Sequence, residues 1–80
     1  MKKEEEEDEK RFQVKSYGKS ELAALYLPEI SPKSATETVR RWIEKAPGLA
    51  DALTATGLQP LDKRYTPAQV RMIVAVLGEP

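Results

Sequence analysis

Ser31–Ala46, SPKSATETVRRWIEKA, is the stretch whose reading decides the fold. Ser31 is a good N-cap, because its hydroxyl can accept from a free backbone N–H two or three residues on. Pro32 follows at the first helical position, where its missing N–H costs nothing. Ala35, Val39, Trp42, Ile43 and Ala46 recur at helical spacing and define one apolar face. The opposite face carries Lys33, Ser34, Glu37, Arg40, Arg41 and Glu44. Pro47 ends the run, since the residue before a proline is pushed out of the α region. A helix of this span is roughly 20 Å long at ~1.5 Å per residue.

Working outward, Gly18–Leu27 reads as a shorter helix with Leu22, Leu25 and Tyr26 inward and Pro28 at its end. Glu21 stands where its charge suits the helix N-terminus. Leu27–Ser31 forms the turn, with Ile30 expected to pack beneath the second helix. Before it, Arg11–Tyr17 alternates Phe12 and Val14 with Gln13 and Lys15, which predicts a short strand. Its partner is expected around Lys63–Tyr65. On the other side, Pro47–Thr56 reads as a third helix with Leu49, Ala50 and Leu53 inward. Gly57 and Leu58 suit a Schellman ending. Thr66–Leu77 is the fourth helix: Thr66 and Gln69 form a capping box, and Pro67 opens the first turn. Val70, Ile73, Val74 and Leu77 make its core stripe, while Met72 and Val76 form a second apolar face. The expected fold is mainly α with a minor β component: four helices and a short two-stranded sheet.

Composition narrows the chemistry. The 80 residues make one domain at most. There is no cysteine and no histidine, so thiolate and imidazole metal ligands and the commonest general base are missing. The acids beyond the N-terminal run are scattered, the glycines lack phosphate-loop spacing, and no serine has a histidine to activate it. No catalytic residue, metal site or cofactor is expected, and the chain does not read as an enzyme. The acidic N-terminus reads against a signal peptide, and Met72–Leu77 is far too short to span a bilayer. A cytoplasmic protein without membrane contact is the expectation.

The net charge of zero conceals a segregation. Residues 1–9 hold six of the thirteen acids against two bases, Lys2 and Lys3. From Lys10 onward eleven basic residues face seven acidic ones, a net charge of +4. Residues 1–10 read as a disordered acidic tail, and 11–80 as the folded domain. The tail is either a solubiliser or a competitor for the domain's own basic face.

The order strand, helix, turn, helix, helix, extended basic segment, capped helix is that of compact winged helix-turn-helix proteins. YGKSELAAL resembles the first helix of mercury-regulator-like and excisionase-like DNA-binding domains, and RYTPAQVRMIVAVLG resembles the segment after their wing. A closer resemblance runs from about Lys15 to Pro80, through SYGKSELAALYLPEISPKSA, RRWI and YTPAQVRMIVAVLGEP. It is to a small family from gut anaerobic bacteria known only as a domain of unknown function. The broader resemblance implies double-stranded DNA as partner and a role as transcriptional regulator or accessory factor of a mobile element. It places Lys33, Ser34, Glu37, Arg40 and Arg41 in the major groove and Lys63 and Arg64 on the backbone. The glycine-free turn and the two-residue basic segment depart from the pattern.

The residues also admit a plainer reading. Glu37 can pair with Arg41 and Arg40 with Glu44, as on any solvated helix face. Trp42 belongs with the core at that spacing, and Tyr17, Tyr26 and Tyr65 are expected to bury their rings. The alternative function is a protein-interaction module without DNA binding, or a structural accessory. Met72 and Val76 would then meet a second copy or another protein.

Overall fold

A computed structural model describes residues 12–80. Its elements are β1 (Tyr17–Gly18), α1 (Lys19–Tyr26), α2 (Pro32–Lys45), α3 (Leu49–Ala55), β2 (Arg64–Tyr65) and α4 (Pro67–Leu77). The chain is mainly helical with a two-stranded antiparallel sheet, as the sequence implies. The acidic tail lies outside the described residues.

Each helix begins where its cap chemistry puts it. Ser31 Oγ accepts from the Ser34 backbone N–H at 3.3 Å, and Pro32 occupies the first turn of α2. In α4 the capping box is reciprocal: Gln69 N–H donates to Thr66 Oγ1 at 3.2 Å, and Thr66 N–H donates to Gln69 Oε1 at 2.9 Å. Glu21 Oε1 takes the Gly18 N–H at 2.9 Å, closing the start of α1. Helix α3 ends in a Schellman motif, with Gly57 N–H on Thr54 O and Leu58 N–H on Leu53 O. Gly57 sits at φ +100°, which favours glycine.

One core joins all six elements. Tyr17, Leu22, Ala23, Ala35, Val39, Ile43, Leu49, Leu53, Tyr65, Val70 and Ile73 are buried together. The most extensive contact is between α1 and α2. The small Ala23 and Ala35, both fully buried, allow those two helices to come close.

Several expectations need correction. The predicted strand Arg11–Tyr17 is a two-residue strand starting at Tyr17; Arg11 lies outside the described residues. In the register Tyr17↔Tyr65 and Gly18↔Arg64, a longer ladder would set Lys15 against Pro67, which has no N–H and already belongs to α4. Phe12 instead stacks on Tyr17, with centroids 5.4 Å apart, and Val14 is exposed. Helix α3 starts two residues later than expected, because Gly48 adopts φ +78° after Pro47.

In α1 the inward residues are Leu22 and Ala23 with half-buried Tyr26, and Leu25 points away. Trp42, assigned to the core by spacing, is 39% exposed. Fully buried Ala23 and Ala35 fill the core in its place, and Trp42 lies at the margin, where it meets Tyr26 edge-on at 6.3 Å. Ile30 is exposed in the turn rather than packed beneath α2. Val74 and Leu77 are half-buried at the edge of the core.

Candidate nucleic-acid interface

The capped start and apolar stripe of α2 fix its rotation on the bundle. With Ala35, Val39 and Ile43 buried, Lys33, Ser34, Glu37, Arg40 and Arg41 are all solvent-exposed. The helix thus presents two arginines and a lysine from one rigid element. Arg40 Nη1 lies 3.5 Å from Glu44 Oε2, with the two side chains 63% and 56% exposed. Such a pair contributes only a few tenths of a kcal/mol and is readily exchanged for another anion. A Glu37–Arg41 pair is not formed among the described residues.

The basic pair before α4 divides. Lys63 is exposed, and its carbonyl accepts from Lys19 N–H at 2.8 Å. The Arg64 guanidinium turns back to Ser16, donating from Nε to Ser16 Oγ at 3.3 Å and from Nη2 to Ser16 O at 3.4 Å. Ser16 Oγ in turn donates to Tyr65 O at 3.0 Å. Arg64 therefore spends part of its donor capacity on the β1–β2 ladder.

A cleft of about 450 Å³ runs beside α2 and includes Arg40, but not Lys33, Ser34, Glu37 or Arg41. Lys19, at the start of α1, lies on it. Lys19 follows Gly18, which pairs with Arg64, and so stands beside the β1–β2 ladder. Spacing names Gln69 as a member of the α4 cap but does not reveal its second bond. Gln69 is buried, and besides closing its capping box it donates from Nε2 to Thr56 Oγ1 at 2.8 Å, tying α4 to the end of α3.

Met72 and Val76 do not form a common exposed patch. Met72 is half-buried against the core, while Val76 is exposed. Burial raises the phenol pKa of Tyr65 above the ordinary tyrosine value. Burial also raises that of Tyr26, with the negative charge of Glu79 adding to it, and Tyr26 Oη donates to the carbonyl of Gly78. Among the described residues, no three histidine, cysteine or acidic side chains gather as a metal site. No helix among them is long and apolar enough to cross a membrane.

The class of protein defined by these features is a small helical domain, closed by a two-residue antiparallel ladder, with a polar, exposed face on its longest helix. The chain belongs to the DUF4248 family, a domain of unknown function, whose model matches residues 13–80. No curated protein and no solved structure is significantly similar to it.

Proposed function

We propose that this domain binds double-stranded DNA with the outward face of α2, as a cytoplasmic transcriptional regulator or an excisionase-like accessory factor of a mobile element. The observation that carries the reading is the exposure of Lys33, Arg40 and Arg41 on the longest helix, opposite its buried stripe. A helix about 10–12 Å across with its side chains suits the major groove, which is about 12 Å wide. Arginine can bond guanine through two donors, and lysine and serine can hold phosphates. The β1–β2 ladder adds support. It joins YGKSELAAL to RYTPAQVRMIVAVLG, the two stretches that resemble winged helix-turn-helix domains. Lys63 would then touch the backbone, and Arg64 would do so only by leaving Ser16.

The test is fluorescence anisotropy with a labelled duplex of about 30 base pairs across a salt series. Affinity should fall steeply with salt. Arg40→Ala with Arg41→Ala should weaken binding and flatten the salt slope by about one for each phosphate no longer neutralised. Absence of binding at low salt, in a chain lacking residues 1–10, would overturn the proposal.

A second reading, a protein-interaction module, is favoured by one observation: Val76 is 53% exposed on the last helix. If it holds, Val76→Glu dissociates an oligomer or complex in size-exclusion chromatography without altering the helical content.

A further inference from the structure

The cleft beside α2 has features that DNA recognition does not use. Its volume of about 450 Å³ falls within the range of small-molecule sites, ~300–1,000 Å³. One wall is apolar, built from Ile43, Ala50, Leu53 and Leu58, the first and third of which are core residues. Two cations, Lys19 and Arg40, lie along it.

Lys19 is the more informative of the two. It is half-buried. Its ammonium makes one long hydrogen bond, 3.4 Å to Gln59 O, and stands 5.6 Å from the centroid of the Tyr65 ring. An ammonium has three donors, so among the described residues two remain for a ligand. Among the described residues, Arg40 is held by a solvent-screened pair with Glu44 alone. Two cations against one carboxylate leave the cleft positive.

We propose that this cleft binds a small amphipathic carboxylate. The carboxylate accepts from Lys19 Nζ and the Arg40 guanidinium, and its alkyl or aryl body covers Ile43, Ala50, Leu53 and Leu58. The chemistry selects this class over its neighbours. An amine would meet like charge at both cations, a neutral alcohol would lack the ion–ion attraction to them, and a bare inorganic anion would leave the apolar wall wet. The site shares Arg40 with the proposed DNA-binding face but needs neither Lys33 nor Arg41, and its test contains no nucleic acid, so the two proposals fail separately.

The experiment titrates the full chain with octanoate, and in parallel with octan-1-ol and octylamine, following backbone amide shifts by two-dimensional NMR. The expected result is saturable shifts confined to the surroundings of Lys19, Ala50, Leu53 and Leu58, with octylamine and octanol at least tenfold weaker. Lys19→Met keeps an unbranched side chain over Tyr65 while removing the charge, and Arg40→Gln removes the second cation. Each should weaken octanoate at least fivefold with the spectrum of the free protein otherwise unchanged. Equal binding of octanol, unchanged affinity in both variants, or shifts centred on the exposed Leu25 and Trp42 instead would overturn the proposal.

Discussion

Replacing Gln69 with alanine should be among the most damaging single changes outside the apolar core. Its side chain is 4% exposed and serves two helices at once. Oε1 accepts from Thr66 N–H at 2.9 Å, completing the α4 cap, and Nε2 donates to Thr56 Oγ1 at 2.8 Å. Thr56 Oγ1 itself donates to Leu53 O, so the amide reaches the final turn of α3 through one hydroxyl. Two net hydrogen bonds at ~0.5–1.5 kcal/mol each, plus the packing of the stem, give about 2–3 kcal/mol. For a domain of this size that lowers Tm by roughly 8–24 °C. Gln69→Glu retains the acceptor for Thr66 but buries a carboxylate whose second oxygen faces Thr56 Oγ1 with no donor, so at neutral pH it should cost at least as much as the alanine change. Thermal and urea denaturation followed by circular dichroism measure both, and a double-mutant cycle with Thr56→Val isolates the link between helices. A Gln69→Ala protein within about 0.5 kcal/mol of the parent, or no coupling to Thr56, would refute the reasoning.

Gly57→Ala should cost about 1–2 kcal/mol in urea denaturation, because φ +100° is strained for any residue with a Cβ even though no atom crowds the position. Leu22→Ala, at a fully buried site, should cost about 2–5 kcal/mol, whereas Trp42→Ala should cost clearly less, since its indole is only an edge contact of Tyr26; parallel urea melts compare them. The raised pKa of Tyr65 favours the neutral phenol in the folded state. Its contribution to stability is therefore present below the unfolded tyrosine pKa of about 10 and disappears as pH rises through the higher folded value. NMR titration of the Tyr65 ring above about pH 10 should show this late ionisation, and Tyr65→Phe should reduce the alkaline loss of stability.

The helices were legible where local chemistry speaks alone. Thr66, Pro67 and Gln69 announce α4 through a cap that involves only neighbouring residues, and Gly57 with Leu58 announces the end of α3 in the same way. What spacing could not tell was where the neighbouring helix would press. Val39 and Trp42 are both permitted inward by a helical period, but fully buried Ala23 and Ala35 fill the core beside Val39, and Trp42 stands at its edge. Leu25 and Ile30 also stand outside the core. The reach of β1 is not legible from alternation, which says nothing of a partner, and here the partner ends at a proline. At the candidate interface, the exposure of Lys33, Ser34, Glu37, Arg40 and Arg41 follows from the helical period. The return of Arg64 to Ser16 depends on a contact 48 residues distant and leaves no trace in the local sequence.

The smallness of the ladder also sets an order of events. Ser16 and Tyr65, bonded across it, are 49 residues apart in the chain. Bringing such ends together costs about 3.5 kcal/mol of closure entropy for a free chain, before any constant. A two-residue seam cannot meet that cost alone, so it forms after α1, α2 and α3 have already shortened the path between its halves. The seam therefore leans on the helices for its stability, and its two tyrosines, Tyr17 and Tyr65, return that support by completing the buried core.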